Sequence, residues 1–103
     1  MGLLTAADIR TLQNWGLEQD YENSRAELIE VARIGFAITR DQRGNSPSPE
    51  EFLGRLVRGL MISAAFSRIL RSKRHAPPAL HIAFASLTAK LLIDHDWGQI
   101  AIS

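Results

Sequence analysis

The 103-residue chain has no cysteine, which excludes disulfide bonds, thiolate metal ligands and thiol catalysis. Only 7% of its residues are aromatic, so aliphatic side chains must fill most of the core. It has no apolar run near the ~20 residues that a membrane-spanning helix needs. Its first residues, MGLLTAADIR, lack the basic start and apolar stretch of a secretory signal. We therefore predict a cytoplasmic protein that makes no membrane contact and forms one helical domain over residues 1–103.

Charge is unevenly distributed along the chain, although the formal net charge is only +1. Residues 1–51 hold nine acidic and five basic residues, whereas residues 52–93 hold seven basic residues and no acidic residue. Such a layout suits an anionic partner. It equally suits charge pairing within one chain or between two copies of it.

Apolar residues recur at helical spacing along most of the chain, which predicts an all-α, four-helix bundle-like fold. The four predicted helices cover approximately residues 5–15, 18–39, 49–72 and 78–94. The second contains an apolar seam that we expect to face the core, formed by Leu17, Tyr21, Ser24, Leu28, Val31, Gly35 and Ile38. The tail after residue 94 is expected to cover one end of the bundle with Trp97, Ile100 and Ile102.

Capping residues mark two of the predicted helix starts. Thr5 precedes Asp8 by three positions, and Ser48 precedes Glu51 by the same interval, which is the spacing of a capping box. The polar segment 40–48 between the second and third helices is rich in turn-forming residues. We predict that this segment is a mobile loop.

The third and fourth predicted helices are apolar on most of their faces. No charged residue occurs from Gly59 to Ser67, and Lys90 is the only charged residue from 79 to 93. Two such helices exceed what a four-helix chain of this length can enclose, so we predict that homodimerisation completes the bundle. The candidate self-association residues are Gly59, Ser63, Phe66, Phe84 and Leu87.

No arrangement of residues in the sequence indicates catalysis. His75 and His81 stand six positions apart across a double proline, which does not match the ligand spacing of a helical metal site. His95, between Asp94 and Asp96, is predicted to lie in a solvated helix end. The sequence also lacks a glycine-rich phosphate loop and a nucleophile motif. We therefore predict a non-enzymatic protein that needs neither a metal nor a cofactor.

Basic residues are concentrated in residues 68–75, which we call the basic elbow: Arg68, Arg71, Lys73, Arg74 and His75. Cations at a helix C-terminus often only stabilise the helix dipole and solvate the turn, so a structural role is one possibility. An acidic protein surface and nucleic-acid phosphates are the other two. A helix-turn-helix is not favoured, because the helix that follows begins PPALHIAFASL and has few side chains able to read base edges.

These patterns predict a small protein-interaction module that acts as an adaptor, an inhibitor or a regulatory subunit. It would bind through its apolar helix surfaces and the basic elbow, as a homo-oligomer with another protein as its partner. The alternative is a dimeric regulator whose basic elbow contacts nucleic-acid phosphates.

Overall fold

A computed structural model describes residues 2–101, apart from the side chains of residues 41–43. Over these residues the chain forms five α-helices and no strand, which confirms the all-α prediction. The helices are α1 (Ala6–Trp15), α2 (Leu17–Arg43), α3 (Pro49–Met61), α4 (Ala64–Ser72) and α5 (Ala79–Ile100). Helices α2, α3 and α5 pack against one another, and α1 and α4 lie against this three-helix unit.

The predicted caps are present at the starts of α1 and α3. The Thr5 hydroxyl accepts a hydrogen bond from the Asp8 amide, while the Asp8 carboxylate accepts one from the Thr5 amide. The Ser48 hydroxyl likewise accepts a hydrogen bond from the amide of Glu51 at 3.2 Å. Each contact satisfies an amide that the first helical turn leaves without an intrahelical partner.

Helix α2 is longer than the predicted helix over 18–39. It ends only at Gly44, whose φ of 71° places it in the left-handed region that favours glycine and whose amide donates to the Arg40 carbonyl. Residues 40–43, predicted as loop, are therefore the last turn of α2. The connection to α3 shortens to residues 44–48.

The helix predicted over 49–72 is two helices rather than one. Ile62 leaves the helical conformation, and Ser63 becomes the N-cap of α4 by accepting a hydrogen bond from the Phe66 amide at 3.2 Å. The Leu60 carbonyl near the end of α3 accepts hydrogen bonds from both the Ser63 amide and the Ser63 hydroxyl. The even apolar spacing across this point gave no sign of the break, because α4 continues to bury apolar residues.

Helix α5 continues beyond residue 94 and brings the tail into the core. Its backbone is non-helical at Asp96, with φ −128° and ψ 20°, and the chain then resumes helical geometry to Ile100. Ile100 is buried, and the Trp97 ring packs against Phe36 and Phe52, with ring centroids 5.5 and 6.0 Å apart. Trp97 and Ile100 thus pack against the helices of the bundle, whereas Ile102 lies outside the described residues.

Candidate functional site

An apolar groove with a volume of about 440 Å³ lies between α2 and α3. Its lining comes from α2, from α3 and from the break that follows α3: Val31, Ile34, Gly35, Ile38, Arg55, Leu56, Arg58, Gly59, Ile62 and Ser63. We call this feature the α2–α3 groove. It is formed because the two helices run in opposite directions from the 44–48 turn and carry small residues where they face each other.

Three isoleucines along the groove remain in contact with solvent. Ile34 is 54% exposed, Ile38 is 46% exposed and Ile62 is 88% exposed. Single exposed apolar residues are common on protein surfaces, but three of them around one concave surface form a patch that favours burial by another molecule. The sequence seam had placed Ile38 in the core, where only part of its side chain lies.

Two glycines inside helices line the groove without contributing a side chain to it. A β-carbon at Gly35 would lie 3.8 Å from the Phe52 ring, and one at Gly59 would lie 3.8 Å from Val31, which are ordinary contact distances. Packing within the chain therefore does not require either glycine. Glycine destabilises a helix interior by roughly 0.5–1 kcal/mol relative to alanine, and the packing of this chain does not explain its use at either position.

Among the residues whose side chains the structure describes, the charged lining of the groove is basic. Arg55 and Arg58 are the charged residues that line it, and both lie on α3. Near the Ser63 end, Arg68 of α4 forms an ion pair with Glu27 of α2. The groove therefore combines an apolar floor with a basic wall.

The predicted self-association residues fall into two groups. Phe66, Phe84 and Leu87 are buried inside a single chain, where they are not available to a second copy. Gly59 and Ser63 line the α2–α3 groove. Of the five candidates, Gly59 and Ser63 therefore lie at a surface, and most of α5 faces the core of its own chain.

The basic elbow is partly neutralised by α2. Arg68 pairs with Glu27, and the Lys73 ammonium lies 2.8 Å from the Asp20 carboxylate. Arg71, Arg74 and His75 are exposed at the surface. Two of the five candidate residues thus hold α4 against α2, which leaves three that point to solvent.

Sequence reasoning missed a buried polar cluster around Asp96, which had been expected in a solvated helix end. The Asp96 side chain is fully buried and accepts hydrogen bonds from the Tyr21 hydroxyl and from Arg25, with Arg25 Nη2 2.5 Å and Nε 3.1 Å from the carboxylate oxygens. These hydrogen bonds from Arg25 hold the pKa of Asp96 below its ordinary value, and burial raises the pKa of Tyr21. The cluster ties the end of α5 to α2. The sequence gives no local sign of this cluster, because Arg25 and Tyr21 lie 71 and 75 positions from Asp96.

Comparison of the chain with protein-family models, with curated proteins and with solved structures finds no match. Within residues 2–101, no helix has the length and apolarity needed to cross a membrane. The same residues contain no group of three or more histidine, aspartate or glutamate side chains placed to hold a metal ion. The groove and the basic elbow are therefore the features that bear on function.

Proposed function

We propose that the chain is a non-enzymatic protein-interaction module whose working surface is the α2–α3 groove. The observation that carries this proposal is the presence of Ile34, Ile38 and Ile62 around one apolar concavity, while 22 apolar residues of the described part of the chain are buried in the core. In this role the chain serves as an adaptor, an inhibitor or a regulatory subunit. Self-association as a homodimer belongs to the same proposal.

The shape of the groove suits one helix of another polypeptide. Two antiparallel helices with small residues at their contact form a channel into which a third helix can place side chains at i, i+3, i+4 and i+7. Burial of the exposed isoleucines favours such docking by roughly 25 cal/mol for each Å² of apolar surface removed from water. The basic wall favours a helix with carboxylates along one edge.

Binding of designed peptides tests this function directly. We expect the chain to bind an amphipathic helical peptide of about 18 residues with a leucine stripe flanked by glutamates, and to bind the lysine-flanked version more weakly. Fluorescence anisotropy with both peptides and with a glutamine-flanked version measures the affinities. Gly59→Leu, which fills the groove, is expected to lower the affinity at least about tenfold.

Gly54→Leu is the matched control for this experiment. Gly54 lies on the same helix, is exposed, and has open space where a side chain would project. Circular dichroism of both variants establishes that they are folded. Equal loss of peptide binding in both variants, or no binding of any peptide by a wild type that is monomeric at the concentration used, would remove the groove as a binding surface for helices.

A second candidate function uses the exposed end of the basic elbow. The end of α4 exposes three residues of the elbow, Arg71, Arg74 and His75. Residues 52–93 contain no acidic residue. These two features support contact with phosphates, as expected of a dimeric nucleic-acid-binding regulator. The pairing of Arg68 and Lys73 with α2 carboxylates reduces the charge that remains for this role. It is therefore the weaker candidate.

Titration of generic duplex DNA at several salt concentrations separates the two candidates. If the elbow binds phosphates, the affinity should fall steeply between 50 and 200 mM salt, with a slope set by roughly two or three phosphate contacts. The double variant Arg71→Ala, Arg74→Ala should abolish that binding. An absence of binding at about 50 mM salt would eliminate this candidate and leave the groove proposal unaffected.

A further inference from the structure

We infer that the occupant of the α2–α3 groove is a second copy of this chain, joined to the first by a two-fold axis that crosses the groove. This inference rests on the proposed function, because it takes the groove as the working surface. It goes further by placing that self-association in the groove, with a two-fold arrangement and a stated pairing of the helices.

The groove supplies both a ridge and a space to receive one. Ile34 and Ile38 stand one turn apart on the exposed face of α2, and Gly35 and Gly59 leave space beside them. In a two-fold dimer the same surface serves both copies, so the ridge of each chain can enter the groove of the other. Interdigitation of this kind brings helices to close approach where glycine lies at the contact.

One pair of charges, an acidic residue on α2 and a basic residue on α3, is complementary in the same arrangement. Glu30 stands one turn before Ile34 on α2 and is exposed, whereas Arg58 lines the opposite wall on α3. When α2 of one copy lies in the groove of the other, its Glu30 approaches the α3 wall that carries the partner's Arg58. Symmetry forms this acid–base contact twice, so its effect on association is doubled.

The basic wall alone would also accept an acidic helix of an unrelated protein. The second copy is favoured because its own α2 already has the required pattern, an exposed acidic residue followed by two isoleucines one turn apart. In such a dimer, the exposed isoleucines of each copy are buried by the same groove surface of the other copy. One symmetric contact removes all of them from water in both chains.

Sedimentation of the full chain over a range from about 1 to 300 μM tests the assignment. We expect a reversible monomer–dimer equilibrium for the wild type. Ile62→Glu should raise the dissociation constant at least about tenfold, since it places a charge at the rim of the groove. Ile82→Glu is the matched control, because Ile82 is 65% exposed on α5 and does not line the groove, and it should change the constant less than about twofold.

Charge reversal tests the pairing of Glu30 with the partner's Arg58. Glu30→Arg and Arg58→Glu should each weaken the dimer about fivefold or more, and the double variant should return to within about threefold of the wild type. A merely destabilised chain would not recover in the double variant. Circular dichroism at each concentration keeps unfolding separate from dissociation.

Each outcome decides the inference. A wild type that stays monomeric at 300 μM overturns it, and so does a dimer that Ile62→Glu leaves intact. The proposed function has a separate readout, since a monomer whose groove binds the glutamate-flanked peptide keeps that function while losing this occupant. A chain that neither dimerises nor binds any peptide loses both.

Discussion

Phe52→Ala is expected to lower the free energy of unfolding by about 3–5 kcal/mol, the largest stability effect that we predict for a single substitution in this chain. Phe52 is completely buried, and its ring packs edge-on against Phe36 with centroids 5.4 Å apart. The Trp97 ring completes a three-ring cluster that joins α2, α3 and α5. Removal of the central ring leaves a cavity bordered by three helices, none of which can close it without shifting against the other two.

Urea unfolding monitored by circular dichroism and tryptophan fluorescence measures this effect. All variants are compared at one chain concentration, because association adds to the apparent stability. Leu53→Ala is the control on the neighbouring position of α3, where the side chain is only half-buried, and it should cost clearly less. An equal loss for both variants would contradict the assignment of Phe52 to the centre of the core.

Asp96→Asn is expected to lower the free energy of unfolding at pH 7 by about 2–4 kcal/mol. The asparagine amide has one acceptor oxygen where the carboxylate has two, so its NH₂ group faces a donor of Arg25 or Tyr21. The substitution also removes the negative charge that pairs with the Arg25 guanidinium. The cost stays below that of a fully buried ion pair, since the Arg25 side chain is 45% exposed and can be solvated when its partner is lost.

The pH dependence of the same variant follows from the direction of the pKa shift. The pKa of Asp96 is lower in the folded chain than in the unfolded chain, so its ionised form stabilises the fold above the unfolded value of roughly 4. That stabilisation is lost as the pH falls through the folded pKa. The difference between wild type and Asp96→Asn should therefore be full at pH 6–7 and should shrink below about pH 4.

Unfolding of both proteins at neutral pH and at about pH 3 measures the difference, with Glu22→Gln as the control. Glu22 is an exposed carboxylate on α2, so its amide variant should unfold like the wild type at both pH values. A wild type and an Asp96→Asn variant that differ equally at both values would show that the charge of Asp96 does not contribute. The effect would then lie in packing alone.

Local signals along the chain predicted most of the secondary structure. The all-α class followed from apolar spacing, and the starts of α1 and α3 followed from Thr5 and Ser48, because a capping side chain bonds an amide only three positions away. The break at Ile62 was missed, since a serine that caps one helix is also tolerated inside another. The end of α2 was placed too early, because residues 40–43 have a polar, turn-like composition and yet continue the helix up to the Gly44 cap.

Which apolar residues are buried depended on the tertiary structure. Phe66, Phe84 and Leu87 were expected to serve association, yet Phe66 of α4 and the two α5 residues are buried within one chain, where α5 lies against α2 and α3. Ile34, Ile38 and Ile62 are left exposed because no element of the described chain lies over the α2–α3 groove. A helical periodicity shows that a side chain is apolar, but not which neighbour covers it.

The sequence by itself determined the helical class, two capped helix starts and the basic character of residues 52–93, because each depends on residues within a few positions of one another. Only the tertiary structure decided the α2–α3 groove, the pairing of Asp20 and Glu27 with the basic elbow, and the burial of Asp96 against Tyr21 and Arg25. These features join residues that are from about 20 to 75 positions apart. Their contacts arise from the packing of whole helices, which no local spacing encodes.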